Sequence, residues 1–187
     1  MLKRKVLVTG ISNLSEARYC AGMFVDYLCF ELNKTHEDYI SLEKVLEIKN
    51  WLSGLKVGGR VAEWPSDMNE EAWQKLGLDF LIIADAGLTA KAKEKVSELF
   101  FEVTSANDSE KTEAFEHILL NSPELPQTSE GHPSIFAGNN IALSELDDIL
   151  ENENFQGIAL KGSLEISPGV SNYDDLMDVL EALDEDF

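Results

Sequence analysis

The chain has 187 residues, 44% hydrophobic and 27% charged, a composition typical of a single globular domain over residues 1–187. Its 15 Lys and Arg against 35 Asp and Glu give a formal charge of −20, which repels nucleic acids and anionic membranes and argues against both as partners. Much of the acid falls on predicted helix surfaces, where we expect solvated faces and no metal site.

Cysteine spacing and the lack of targeting signals point to the cytoplasm. Cys20 and Cys29 lie in apolar segments without a CxxC spacing, so we expect core thiols rather than a redox pair. The apolar run behind the basic N-terminal residues is too short for a signal peptide, and no segment could span a membrane. The three histidines lack the spacing of metal ligands, and we expect surface or loop positions for all of them: His36, His117 and His132.

Short apolar runs rich in β-forming residues alternate with helical patterns along the whole chain. The predicted strands are Val6–Thr9, Tyr27–Phe30, Lys56–Ala62, Phe80–Ile83, Leu99–Val103, His117–Leu120, Ser134–Gly138 and Phe155–Leu160. The predicted helices are Ser15–Met23, Leu42–Leu52, Glu70–Leu76, Thr89–Glu98, a short one near Ser109–Ala114, Ser144–Leu150 with Ser144 as N-cap, and Asn172–Leu183.

Residues 122–133 contain three of the five prolines and few apolar residues, so we expect a loop in place of the sixth helix. Eight strands with about seven helices favour a compact (β/α)8 TIM barrel with a reduced or missing sixth helix over an open, doubly wound sheet. The chain is short for this fold, which usually needs about 200 residues or more. A trimmed sixth unit would account for the difference.

The segment from Gly157 to Val170 reads as an apolar strand, a Gly/Ser turn and a helix led by Pro168. Such turns often hold phosphate, because their backbone N–H groups and the helix that follows attract an anion. Lys161 adds a charge of the right sign. An ordinary strand-to-helix connection would show the same pattern, and this segment alone does not decide between the two interpretations.

Five short motifs follow one another along the chain, and their order is informative. They are Thr-Gly-Ile-Ser-Asn at 9–13 with Glu-Ala-Arg at 16–18, Cys-Phe at 29–30, Asp-Tyr-Ile-Ser at 38–41, Phe-Ala-Gly-Asn at 136–139, and Gly-Ser-Leu-Glu at 162–165 with Pro-Gly-Val at 168–170. In this order they resemble the landmarks of the phosphoribosylanthranilate isomerase family, a barrel of tryptophan biosynthesis.

The resemblance implies a cofactor-free Amadori rearrangement of N-(5′-phosphoribosyl)anthranilate, with a Cys ending strand one as base and an Asp ending strand six as acid. Those positions hold Thr9 and Asn121 here. A Thr hydroxyl is a poor base without an activating neighbour, and an Asn amide has no acidic proton to give. The family's substrate-loop Arg is Asp38 and its strand-eight Asp is Ala159, so the sequence argues against isomerase activity.

Other positions still fit a phosphorylated small molecule as ligand. The resemblance assigns the phosphate to residues after the last two strands, and Arg60 could add a charge if it faces the barrel interior, which alternation alone cannot decide. These candidate ligands are Gly138, Asn139, Lys161, Gly162, Ser163 and Arg60. Asp85 and Glu165 are the remaining carboxylates placed for acid/base work, although a solvated or capping role fits both better.

Three hypotheses follow from the sequence. The first is a diverged isomerase-like barrel that keeps a phosphate site without the usual acid/base pair. The second is an active isomerase that moves the proton with other residues, such as Asp85. The third is a non-catalytic binding or interaction protein whose acidic surface meets a basic partner. The sequence leaves a homodimer open.

Overall fold

Eight parallel strands form a closed barrel in which each strand pairs with its neighbours in the chain and the eighth returns to the first. The strands are β1 (Lys5–Thr9), β2 (Tyr27–Glu31), β3 (Lys56–Val61), β4 (Phe80–Ile83), β5 (Glu98–Val103), β6 (His117–Leu120), β7 (Ser134–Ala137) and β8 (Phe155–Lys161). The predicted (β/α)8 barrel is therefore confirmed.

The computed structural model describes residues 2–103, 112, 114–121, 133–138, 141–162, 165–167, 170–171 and 174–184. Its helices are α1 (Leu14–Gly22), α2 (Leu42–Lys49), α3 (Glu70–Leu76), α4 (Thr89–Lys93), α5 (Leu146–Glu151) and α6 (Asp174–Leu183). None of these helices is long and apolar enough to cross a membrane. The loop predicted in place of the sixth helix spans residues 122–133, of which only Pro133 is described, and most of the short helix predicted near 109–114 also lies outside the described residues.

Side-chain caps begin the first three helices. Asn13, Ser41 and Asn69 each accept a hydrogen bond from the backbone N–H three residues further on. Such a cap satisfies one of the N–H groups that a helix leaves unpaired at its start. These caps define where the chain turns from the carboxyl end of a strand into the next helix, and so anchor the loops that surround that end of the barrel.

Aromatic rings fill the barrel interior, because side chains of alternate strand residues point to the same face. Tyr27, Phe80, Phe100 and Phe136 contact one another with ring centroids 5.2 to 5.8 Å apart, in edge-on or tilted geometry. A second apolar layer lies between the outer face of the strands and the helices. The interior is thus a packed core, and polar side chains can gather only at its two ends.

The two cysteines lie in these two cores. Cys29 belongs to the barrel interior and Cys20 to the layer between strands and helices, and both are free and fully buried. Burial raises the pKa of each thiol, which disfavours the reactive thiolate. The predicted core thiols are confirmed.

Several predicted element boundaries are wrong. The helix expected over 89–98 ends at Lys93, and Glu98 is the first residue of β5. The proline-led helix expected after β8 begins only at Asp174. Before it, the antiparallel pair β9 (Glu165–Ser167) and β10 (Val170–Ser171) forms, with Ser167 directly before a proline, where extended backbone is favoured.

Two predictions about single residues are also wrong. Ser144 is not an N-cap, since it lies inside a 3-10 turn at Leu143–Glu145, where the Ala142 N–H donates to the Glu145 carboxylate at 3.0 Å. His117 is not on the surface. It is buried in the barrel, with its ring stacked on Phe100 at 4.4 Å between centroids, because it begins a strand whose alternate residues face inward.

Candidate functional site

The carboxyl ends of the strands bring polar side chains into one cavity of about 170 Å³. Its lining is Thr9, Gly10, Glu31, His36, Asp38, Arg60, Glu102 and Lys161. The strand residues among them continue the inward-facing alternation, and register places Glu31 beside Arg60 and Thr9 beside Lys161. This end of a (β/α)8 barrel is where catalytic and binding residues of the fold are found.

Arg60 faces the barrel interior and is held between two carboxylates. Its Nη1 donates to Glu31 Oε2 at 3.0 Å, and its Nε and Nη2 both lie 2.8 Å from Glu102 Oε2. The interior direction follows from Gly58, two residues earlier, where an added Cβ would lie 2.5 Å from the Phe80 ring. The guanidinium that the sequence offers to a phosphate is therefore engaged by protein carboxylates.

Lys161, the last residue of β8, is held in the same way. Its Nζ lies 3.1 Å from Asp38 Oδ2 and 3.3 Å from Glu37 Oε1. Burial favours the neutral amine, but the two carboxylates outweigh it and raise the pKa of Lys161. The side chain is thus a cation whose charge is already matched.

The carboxylates of the cavity are well buried. Glu31 and Asp38 are 2% and 4% exposed, and Glu31 Oε1 also accepts the Asn33 N–H at 2.8 Å. The backbone N–H of Asp38 donates to His36 Nδ1 at 3.2 Å, so this ring nitrogen acts as an acceptor and offers the cavity no donor. In the part of the chain that the structure describes, no three His, Cys, Asp or Glu side chains are arranged to hold a metal ion.

Thr9 and Asn121 lie at the carboxyl ends of β1 and β6, as the resemblance implies. The Thr9 hydroxyl donates to the Leu160 carbonyl at 3.3 Å, and the Asn121 Nδ2 donates to Glu102 Oε1 at 2.7 Å. Thr9 therefore has a backbone carbonyl, not a base, as its hydrogen-bond acceptor. Asn121 acts as an amide donor to a carboxylate, and neither contact supports proton transfer.

The glycines of the predicted phosphate site have their N–H groups in use. Gly138 donates to the Leu120 carbonyl at 2.9 Å and Gly162 to the Thr9 carbonyl at 2.7 Å. A Cβ at Gly162 would also lie 3.2 Å from both carboxyl oxygens of Glu16, a buried acid. Two further predicted ligands, Asn139 and Ser163, lie outside the described residues.

Of the two carboxylates considered for acid/base work, Asp85 is a cap. Its Oδ1 accepts the Gly87 N–H at 2.8 Å, and it does not line the cavity. Glu165 belongs to β9, and its side chain is outside the described part of the structure. Sequence reasoning missed Glu31 and Glu102, although Glu31 ends an otherwise uncharged strand and Glu102 is the penultimate residue of β5. A carboxylate near the end of a strand is a pattern that could have identified both.

Comparisons with known proteins find similarity in structure alone. No family model and no curated protein matches the sequence. A structure of dimeric phosphoribosylanthranilate isomerase from Thermotoga maritima, in the form of generated monomers, gives a TM-score of 0.77 at 15% identity, covering 95% of this chain and 97% of that chain. The enzyme from Thermus thermophilus gives 0.75 at 16% identity, with 96% and 98% covered.

A third structure of this enzyme was solved in complex with reduced 1-(o-carboxyphenylamino)-1-deoxyribulose 5-phosphate. It gives a TM-score of 0.74 at 16% identity, covering 95% of this chain and 97% of that chain. At such identities the likeness concerns the fold. The resemblance predicted from the sequence is confirmed at that level, since the chain has the barrel of the phosphoribosylanthranilate isomerases along nearly its whole length.

Proposed function

We propose that this isomerase-like barrel does not catalyse the rearrangement of N-(5′-phosphoribosyl)anthranilate and that it instead binds a small ligand at the carboxyl end of its strands. The observation that carries the proposal is the pair of hydrogen bonds made by Thr9 and Asn121. With Thr9 donating to a carbonyl and Asn121 to Glu102, the family's two proton-transfer positions hold no acid or base. Each missing catalyst typically costs about 10²–10⁴ in rate.

The charge of the cavity supports the same conclusion. Glu31, Asp38 and Glu102 face Arg60 and Lys161, and both cations are paired with carboxylates. An anionic substrate would have to break these ion pairs and approach the remaining negative charge. The phosphorylated ligand predicted from the sequence is for this reason not part of the proposal, and it stays a prediction that depends on Asn139 and Ser163.

The test is turnover of N-(5′-phosphoribosyl)anthranilate by the purified protein, followed as the loss of substrate fluorescence. We expect a rate no faster than that in buffer alone. Turnover well above buffer would overturn the proposal and establish an isomerase that moves the proton with other residues. A protein without turnover above that in buffer would not catalyse this step of tryptophan synthesis.

A double variant tests whether the protein lacks only the two catalytic residue types or also the ability to bind the substrate. Thr9→Cys with Asn121→Asp restores the residue types that the family uses, and the Thr9→Cys single variant is its matched control. We expect the double variant to remain close to background, because the cavity carboxylates still oppose an anionic substrate. A strong gain in the double variant alone would contradict the part of the proposal that concerns charge, since it would show that the substrate binds and only the catalysts are lacking.

A further inference from the structure

Among the residues that the structure describes, two acceptor atoms at the carboxyl end of the barrel are buried without a hydrogen-bond partner. They are Asp38 Oδ1 and Asn121 Oδ1. The Asp38 side chain is 4% exposed and lines the cavity, whereas Asn121 Oδ1 lies against Gly138 and Asn121 is not part of the cavity lining. Buried polar atoms in native proteins nearly always have a partner, so each such exception calls for an explanation, such as a bound group. Asp38 Oδ1 is therefore the acceptor for which a ligand in the cavity would supply a donor.

The formal charge of the cavity favours a cationic ligand. Three carboxylates of the lining face two cationic side chains, and Glu37 also pairs with Lys161, so carboxylates outnumber these cations by two. His36 Nδ1 lies 3.6 Å from Asp38 Oδ2 and 3.9 Å from Glu31 Oε2, and accepts a hydrogen bond from the backbone N–H of Asp38. The donors of Arg60 and Lys161 already point at carboxylates. A cationic ligand with several N–H groups would therefore reduce the excess negative charge and donate a hydrogen bond to Asp38 Oδ1.

We propose that the cavity binds a small organic cation through an ammonium or guanidinium group. This inference rests on the proposed function, because an active isomerase would have to admit an anion at the same place. The volume of about 170 Å³ is below the roughly 300 Å³ at which sites for drug-sized ligands begin, and so suits a compact group. A metal ion fits less well, since the described acidic side chains do not converge on one point.

The test is a titration of the isotopically labelled full chain by two-dimensional NMR at constant ionic strength. Methylguanidinium chloride is the probe, and tetramethylammonium chloride is its matched control, with the same charge but no N–H group. Sodium phosphate is the third arm. We expect methylguanidinium to give saturable shifts at the amides of Gly10, Glu31 and Asp38, and the other two ions to leave these amides unchanged.

Variants locate the site. Asp38→Asn removes the charge and should weaken methylguanidinium binding at least tenfold, whereas Glu63→Gln removes an exposed carboxylate that follows β3 outside the cavity and should not change it. If Asp38→Asn fails to fold, Glu31→Gln replaces it, because it also removes one negative charge from the cavity lining, with weaker binding again expected. The wild-type titration remains decisive by itself.

Three results would overturn the inference. They are the absence of saturable shifts at the cavity, equal shifts with tetramethylammonium, which would show charge attraction without hydrogen bonding, and phosphate shifting the cavity amides where methylguanidinium does not. Failure of the proposed function is recognised separately, by turnover in the fluorescence assay. A protein that neither turns over the substrate nor binds the cation would retain the proposed loss of isomerase activity and lose only this inference.

Discussion

His117 lies at the amino end of β6, deep in the barrel, where its Nε2 is 2.6 Å from Glu98 Oε1. Burial lowers the pKa of His117 below its usual 6.5, although Glu98 opposes the shift. The unfolded chain therefore binds a proton at a higher pH than the folded chain does. Because stability falls with decreasing pH wherever the unfolded state binds more protons, we expect the free energy of unfolding to decrease as the pH drops below about 6.5.

Urea unfolding between pH 7.5 and 5.5 measures this, with His117→Gln as the control that keeps an N–H donor but cannot titrate. The loss of stability in this pH window should be smaller in the variant, and equal slopes of stability against pH for the two proteins would contradict the assignment.

Glu98 affects stability in a lower pH window. Burial opposes its ionisation, but hydrogen bonds from Lys56, His117 and Tyr27 lower its pKa, so its contribution is lost only as the pH falls below about 4.5.

Arg60 marks the limit of what single residues reveal in a sequence. Strand periodicity predicts that Arg60 and Val61 face opposite sides, but it leaves undecided which side is the interior. The contact between Gly58 and the Phe80 ring decides it, and that contact joins two strands. The positions of Thr9 and Asn121 at strand ends were predictable by resemblance, whereas the carboxylates that neutralise Arg60 and Lys161 required the fold.

At the scale of elements, β7 and β8 fit together because a glycine faces a large ring. A Cβ at Gly157 would lie 2.3 Å from the Phe136 ring, which packs in the barrel interior. We expect Gly157→Ala to lower the free energy of unfolding by about 1–3 kcal/mol, as overpacking of a core does. Urea denaturation measures the difference.

The matched control is Gly22→Ala at the end of α1, where an added Cβ would meet nothing within 4 Å. Alanine is favoured over glycine in a helix, so this variant should be neutral or slightly more stable. A Gly157→Ala protein as stable as wild type would contradict the packing described for the interior.

The order and type of the elements were predictable, because apolar runs and helical patterns alternate clearly along the chain. The first and last residues of the elements were less predictable. The prediction continued a helix through Val96, whose burial comes from packing in the layer outside the barrel rather than from a longer helix. The pair β9 and β10 was missed because antiparallel pairing of such short strands depends on contacts beyond local periodicity.

At the scale of the whole molecule, the formal charge of −20 repels itself in the folded state. Raising NaCl from about 20 to about 200 mM shortens the Debye length to below 10 Å and screens this repulsion. We therefore expect the Tm to rise over this range, as followed by circular dichroism. Near pH 4, where carboxylates take up protons, the rise should be smaller. A Tm that falls with salt at neutral pH would show that surface ion pairs outweigh the repulsion.

The barrel closes through β1 and β8, and the bond from Thr9 to Leu160 joins residues 151 positions apart. On a ribosome that adds about 5–20 residues per second, β1 is synthesised on the order of ten seconds before β8, its second neighbour in the barrel. During that time the nascent sheet has two open edges, each able to pair with another chain. Until β8 is synthesised, association through these edges is opposed by chaperones and by electrostatic repulsion between the acidic chains.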